Sequence, residues 1–122
     1  MKAVLTAAPA PAARPSDERG QELFVAKGQC ATCHVPPYYT DNLMHNLRVE
    51  RFYKPHMING MMASHDGPIK TFPLRGIKDS PPYMHDGRLL TLEDTVEFFN
   101  LIDDLKLTPQ EKKDLVAFLR AL

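Results

Sequence analysis

The apolar positions predict a first helix close to the N-terminus, over the stretch ERGQELFVAK. Ser16 or Asp17 is placed to cap its start, and Gly28 marks its end. Gly20 and Phe24 fall on one face, together with Leu23. Because a glycine has no side chain, Gly20 predicts that another helix approaches this face closely.

Two further helices are predicted in the last third of the chain. Thr91-Leu-Glu-Asp94 resembles a capping box with Asp in place of Glu, and its helix is predicted to run to Ile102. Thr108-Pro-Gln-Glu111 is a complete capping box, and its helix is predicted to reach the C-terminus. The apolar positions predicted to be buried are Leu92, Val96, Phe99 and Ile102 in the first helix, and Leu115, Phe118, Leu119 and Leu122 in the second.

Between these helices, residues 30–80 hold few periodic runs, and we expect mostly coil with short helical turns. The chain has 11 prolines against 6 glycines, and many of them lie in this stretch. Loops of this length are unusual in a small domain unless something organises them, and a large buried cofactor is one such organiser. The predicted fold class is therefore mainly α, with long loops between packed terminal helices.

Composition narrows the range of functions. The 122 residues favour one domain, and 15 Lys and Arg balance 15 Asp and Glu. This neutrality does not indicate binding to nucleic acid or to a membrane surface. No apolar run is long enough to span a membrane. Residues 1–16 are interpreted as an Ala/Pro-rich linker, because their apolar stretch is too short for a signal peptide, and residues 17–122 as the domain.

Both cysteines lie in the motif CATCH, at positions 30 and 33 with His34 next. A disulfide across two residues would constrain little of the unfolded chain. A thioredoxin-type thiol pair needs a preceding strand, and structural zinc usually needs four ligands. Attachment of a c-type haem requires this spacing, because two intervening residues let both thiols reach the vinyl groups of one porphyrin and place the histidine under its iron. One covalent haem c is therefore predicted.

Three segments resemble the C-terminal haem domain of bacterial dihaem cytochrome c peroxidases and MauG-like proteins, and especially single-haem modules of that superfamily. They are RGQELFVAKGQCATCHVPPYYTDNLMHN, KTFPLRGIKDSPPYMHDGRLLTLEDTVEFFN and LTPQEKKDLVAFLRAL. The resemblance covers residues 17–122 and implies a class I cytochrome c-like fold outside the cytoplasm. One CxxCH excludes a complete dihaem peroxidase for this polypeptide alone.

The resemblance also implies roles for individual residues. His34 would be the proximal iron ligand, His85 and Asp86 a structural pair near the haem edge, and Arg75 a partner of a haem propionate. Phe99 falls where many relatives have a Met or Tyr ligand, and phenylalanine cannot bind iron. Tyr83, like Tyr38, Tyr39 and Tyr53, either lines the haem pocket or hydrogen-bonds a propionate, or it packs with its hydroxyl in water.

The sixth iron ligand has several candidates. Met84, 50 residues after His34, is the first, since a thioether ligand favours electron transfer. Met57, Met61 and Met62 form a second group, and the loop histidines His45, His56 and His65 a third. An open iron beside Phe99 is the remaining alternative. A carbonyl of Pro36 or Pro37 is expected to accept the hydrogen bond of the His34 ring.

Two functions compete. The first is one-electron transfer to a redox partner protein or to a neighbouring domain of a larger periplasmic or otherwise extracytoplasmic protein. The second is a peroxidase-like or small-ligand site with an open iron, where His85 or His65 acts as acid and base. The first is the prediction.

Overall fold

The computed structural model describes residues 14–48, 56–63, 68–84 and 87–122. The helices are α1 (Ser16–Val25), α2 (Leu92–Ile102) and α3 (Pro109–Ala121). Between α1 and α2 lie four strands, β1 (Met44–Asn46), β2 (His56–Ile58), β3 (Met61–Ala63) and β4 (Pro68–Lys70), with 3₁₀ turns at Cys30–Thr32 and Ile77–Asp79. The predicted helices are therefore present, and the middle is less irregular than expected.

Helices α1 and α3 pack in close contact at Gly20. A Cβ on this residue would lie 1.9 Å from the Asp114 carbonyl oxygen and 2.8 Å from the Phe118 Cβ. Only glycine allows this approach, which confirms the prediction from the sequence. One turn further along α1, Phe24 is almost fully buried, and its ring centroid lies 5.1 Å from that of Phe118.

A buried polar network joins the same two helices. Arg19 donates from Nε and Nη2 to the two carboxylate oxygens of Asp114, each at 2.9 Å. The Ser16 hydroxyl and the Gln110 amide donate to Asp114 as well. Ser16 therefore does not cap α1 as predicted. The helix follows Pro15 without a side-chain cap and ends at Val25, earlier than the predicted Gly28.

The starts of α2 and α3 agree with the sequence prediction. Thr91 accepts a hydrogen bond from the Asp94 N–H, and Thr108 forms a full capping box with Glu111. Most predicted core positions are buried: Leu92, Val96, Leu115, Phe118 and Leu119. Phe99, Ile102 and Leu122 are only half-buried. Asn100 is buried on α2, where its Oδ1 accepts the Leu107 N–H and secures the loop before α3.

The four strands were not predicted. β1 pairs antiparallel with β4, with Met44 opposite Lys70, and β2 pairs with β3 in a hairpin, with Met57 opposite Met62. Each strand has three residues, which is too short for a clear alternation in sequence. The described residues thus form three α-helices and two small two-stranded sheets.

The expectation that no segment spans a membrane is tested for the described residues alone. None of their helices is long and apolar enough to cross a bilayer. Of the predicted linker, residues 1–13 lie outside the described residues, and Ser16 already belongs to α1.

Candidate functional site

The CATCH motif forms a single turn of chain directly after α1. The Gly28 N–H donates to the Leu23 carbonyl at 2.7 Å, and a Cβ on Gly28 would lie 2.8 Å from the same oxygen. The turn then closes with the N–H groups of Cys33 and His34 donating to the Cys30 carbonyl, at 3.3 and 2.9 Å. The 3₁₀ turn therefore fixes the two thiols and the imidazole relative to α1.

The His34 ring is held in one orientation by the backbone. Its Nδ1 lies 2.8 Å from the Tyr39 carbonyl oxygen. A carbonyl only accepts, so Nδ1 carries the hydrogen, and Nε2 of the neutral ring keeps its lone pair. Burial lowers the pKa of His34, and hydrogen bonding with the backbone of Tyr39 and Phe72 opposes this only in part. The ring is therefore neutral at neutral pH, as a metal ligand must be.

The carbonyl that accepts from His34 is not the predicted one. Tyr39, not Pro36 or Pro37, supplies it, because Tyr39 has the left-handed backbone conformation (φ 60°). The Pro37 carbonyl instead accepts from the Arg75 Nε at 2.8 Å.

Both thiols are protonated at neutral pH. Burial, with the nearby Asp103 charge, raises the pKa of Cys30 to about 11. Burial, with the charges of Asp41 and Asp103, also raises the pKa of Cys33. A thioredoxin-type pair needs a lowered pKa, since the thiolate is the nucleophile. The structure thus disfavours that interpretation of the motif.

A second cluster adjoins Cys33. Its sulfur, an Asp41 carboxylate oxygen and a His45 ring nitrogen all lie within 4.8 Å of one another. The His45 Nε2 is 2.6 Å from the Asp41 Oδ2. Burial acts to raise the pKa of Asp41, but hydrogen bonds from His45, the Leu43 N–H and Thr71 together lower it to about 2. The sequence analysis missed this cluster, because the spacing of the three residues matches no common metal motif.

Arg75 and Tyr83 lie in the segment before α2. The Arg75 guanidinium stacks over the Tyr39 ring, with its carbon 5.1 Å from the ring centroid. Tyr83 is buried, and its hydroxyl donates to the Ile77 carbonyl at 2.9 Å. Contacts of both residues with a cofactor stay predictions. Of the other tyrosines, Tyr38 is exposed, Tyr39 is buried, and Tyr53 lies outside the described residues.

The sixth-ligand candidates are spread over two loops. Met84 is half-buried with φ 73°, at the start of a loop that the Tyr83–Leu89 bridge closes. His85, Asp86 and His65 lie outside the described residues. Phe99 packs edge-on against Phe98, with ring centroids 5.6 Å apart. Met57, Met61 and Met62 are exposed on the β2–β3 hairpin, and the choice of a sixth ligand stays a prediction.

The donor set of the motif turn fits a c-type haem. Cys30 and Cys33 are both free cysteines, which the two thioether bonds require. The Tyr39 carbonyl fixes the tautomer that leaves Nε2 of His34 available to iron. The described structure thus holds all three groups that such attachment needs.

Comparison with known proteins gives consistent relatives. No family model matches the chain. A cytochrome c peroxidase, IdrP2, from Denitromonas iodatirespirans is 34% identical over 140 aligned positions, which cover 84% of this chain and 38% of that protein. The methylamine utilization protein MauG of Methylorubrum extorquens is 30% identical over 123 positions, covering 86% of this chain and 34% of MauG. The chain therefore spans little more than a third of these relatives.

A solved structure shows the same fold. The crystal structure of a MauG-like protein associated with microbial copper homeostasis superposes with a TM-score of 0.71 at 22% identity, covering 89% of this chain and 47% of that one. This likeness concerns the fold alone. The sequence relatives carry the assignment: over most of its length, this chain is homologous to the cytochrome c peroxidase and MauG proteins of the dihaem cytochrome c peroxidase superfamily.

Proposed function

We propose that the chain is a monohaem c-type cytochrome domain that transfers single electrons. Cys30 and Cys33 would hold the porphyrin through thioethers, and Nε2 of His34 would bind the iron. The observation that carries this proposal is the hydrogen bond from His34 Nδ1 to the Tyr39 carbonyl, which leaves the lone pair of the neutral ring on Nε2. The name of one relative, a cytochrome c peroxidase, supports the binding of a c-type haem and does not separate electron transfer from peroxidase activity.

The surface around the motif is suited to an apolar ring. Val35, Leu43, Met44 and Phe72 are large apolar side chains with exposures of 44, 58, 58 and 61%. Leu43 and Phe72 come close together, because the Thr71 N–H donates to the Leu43 carbonyl. A contiguous exposed apolar patch marks a ligand or partner site, and we propose that these side chains form one. These side chains would shield one side of the cofactor from water.

We propose electron transfer rather than catalysis, because Met84 is available as a second axial ligand that would close the iron. A bound haem supplies a one-electron couple at its iron. We propose Met84 as the sixth ligand, since a thioether on the second axial position closes the iron to substrates and raises its potential. The partner would be a redox protein or a neighbouring domain, in an extracytoplasmic compartment such as the periplasm. Residues 17–122 would form the whole haem domain.

A peroxidase-like site is the alternative, and Phe99 favours it. Its half-buried ring packs on Phe98 and offers no donor atom where the family resemblance implies a ligand. If no other side chain binds, the iron stays open to a small molecule. His85 would then be a candidate acid and base.

Absorption spectra of the matured protein with carbon monoxide and cyanide separate these two functions. We expect a low-spin wild type that binds carbon monoxide poorly, and a Met84→Ala variant that binds it readily. Leu101→Ala is the control, because Leu101 is 70% exposed and is not among the ligand candidates. A high-spin ferric wild type that consumes peroxide rapidly would refute electron transfer. Unchanged spectra in Met84→Ala would refute only the ligand assignment.

A divalent-cation site is a third candidate function, and one cluster of side chains favours it. Cys33, Asp41 and His45 present sulfur, oxygen and nitrogen donors within 4.8 Å. The Cys33 sulfur cannot be a thioether and a thiolate ligand together, so this site and haem attachment exclude each other. Zinc retained after metal-free dialysis, together with a freely reactive Cys33, would favour the cation.

A further inference from the structure

The turn after the motif places the partner of the axial imidazole. The backbone carbonyl oxygen of Tyr39 accepts the hydrogen bond from His34, at 2.8 Å from Nδ1. A left-handed conformation at a tyrosine is uncommon and costs free energy, so contacts of the side chain must hold it. The Tyr39 ring is buried edge-on against Phe24 and Phe118, with centroids 5.8 and 6.1 Å away.

Arg75 contacts this turn at two points from 36 or more residues further along the chain. Its Nε donates to the Pro37 carbonyl at 2.8 Å, and its guanidinium stacks over the Tyr39 ring at 5.1 Å. One planar group thus binds both the backbone and the side chain of the turn. A guanidinium is suited to this, since it donates in a fixed plane and stacks on aromatic faces.

The segment that presents Arg75 is itself anchored. The Ile77 N–H donates to the Leu74 carbonyl at 3.1 Å, and Ile77 is buried in the core. Tyr83 adds a second hold, because its hydroxyl donates to the Ile77 carbonyl. Arg75 therefore extends towards the motif from the residues just before an anchored 3₁₀ turn, although its own side chain is exposed.

We propose that Arg75 is a positioning residue for the axial ligand. Through Pro37 and Tyr39 it holds the carbonyl that accepts from His34 Nδ1, and so it sets the orientation and electron donation of the imidazole. This role differs from the propionate contact that the family resemblance implies. It rests on the proposed haem function, since the consequence is expressed at a bound iron. A hydrogen bond at Nδ1 makes the ring a stronger donor and stabilises the ferric state.

Three variants of the haem-loaded protein test this proposal. Arg75→Met removes both contacts, and Arg75→Lys keeps a cation with less directional donors. Lys78→Met is the matched control, because Lys78 is also exposed on this segment and none of the described contacts to the turn involves it. Both Met substitutions remove one positive charge from the same surface, so a difference between them reports positioning rather than charge.

Two measurements report on the imidazole itself. In Arg75→Met, solvent exchange of the His34 Nδ1–H, followed by nuclear magnetic resonance, is expected to be faster than in Lys78→Met, because the accepting carbonyl is held less firmly. The equilibrium constant for reduction is expected to rise several-fold relative to the same control, because the weaker donor stabilises ferric iron less. Arg75→Lys should fall between wild type and Arg75→Met in both.

The outcomes separate this proposal from the one it rests on. Normal haem content with the same exchange rate and reduction constant in Arg75→Met and Lys78→Met would overturn the role of Arg75 alone. Equal changes in both variants would mean a charge effect and would overturn it too. A wild-type chain that carries no haem would refute the proposed function, and the role of Arg75 with it.

Discussion

The α1–α3 contact and the β2–β3 hairpin differ in how far their apolar side chains are exposed. On the helices, Phe24, Leu115 and Phe118 are 2, 3 and 6% exposed. On the hairpin, Met57 and Met62 face each other across the strands, yet they are 60 and 67% exposed. The helix pair therefore buries its apolar side chains within the described chain, whereas the hairpin leaves its methionine side chains exposed.

This difference assigns different tasks to the two regions. The helix pair combines a glycine contact, packed aromatic rings and a buried ion pair, which are the usual sources of stability. The hairpin has backbone pairing but little packing, so its sequence is not explained by the stability of the described fold. Substitutions in the two regions should differ in their effect on unfolding.

The largest difference is expected from truncating an apolar side chain. Phe118→Ala should lower the free energy of unfolding by about 3 to 5 kcal/mol, because it leaves a cavity between α1 and α3. Met62→Ala should cost less than about 0.5 kcal/mol, since the side chain is exposed. Urea titration of the two variants in the same haem state measures this. A loss of similar size in both would mean that the hairpin is packed in the protein.

Two glycines sharpen the comparison. Gly20→Ala should cost about 3 kcal/mol, because its Cβ would overlap the Asp114 backbone, which cannot move without separating the helices. Gly60→Ala in the hairpin turn meets no atom within 4 Å, so it should cost only about 1 kcal/mol for its positive φ. Thermal unfolding followed by circular dichroism checks the order. A Gly60 variant as unstable as the Gly20 variant would contradict it.

The smallest expected effect concerns acid stability of the helix pair. The Arg19 hydrogen bond, opposed in part by burial and helped by Ser16 and Gln110, lowers the pKa of Asp114 to about 2 from 3.8. Since the folded pKa is depressed, the stabilisation is complete above the unfolded pKa and is lost as pH falls towards 2. It amounts to at most about 2 kcal/mol.

Asp114→Asn should therefore remove up to about 2 kcal/mol of the stability lost between about pH 5 and about pH 2, while the share of Asp41, whose pKa is also lowered to about 2, remains. Glu93→Gln is the control, because its ion pair with Arg120 is about half exposed and should contribute less than about 0.5 kcal/mol. Urea midpoints measured across that range decide the matter. If the pH dependence of Asp114→Asn equals that of the wild type, Asp114 is not an acid-sensitive group of the fold.

The parts of the fold with local signals were predictable. Thr91 and Thr108 mark the starts of α2 and α3, because a capping side chain acts within one turn of its own helix. Gly20 predicted a close helix contact with the face that carries Leu115 and Phe118; the structure confirms Phe118 and adds the Asp114 backbone, which the sequence did not indicate. The CATCH motif indicates haem attachment because its residues adjoin in sequence, and this assignment stays a prediction.

The features set by distant contacts were not predictable. The pairing of β1 with β4 depends on residues 22 or more positions apart, and three-residue strands leave no period to read. A proline carbonyl was predicted to accept the hydrogen bond of the His34 ring, because no local signal indicates that Tyr39 adopts φ 60°. Its ring is held by Phe24, Phe118 and Arg75, which come from three separate segments.

Covalent attachment of one haem through Cys30 and Cys33 is tested most directly by the intact mass of protein that a periplasmic haem-attachment system has matured. If haem is attached to the motif, we expect the polypeptide mass plus one haem, with the added mass on the peptide that carries Cys30 and Cys33. The Cys30→Ser/Cys33→Ser variant, produced in the same way, should show the polypeptide mass alone. Wild-type protein with the bare polypeptide mass and two alkylatable thiols would contradict the account.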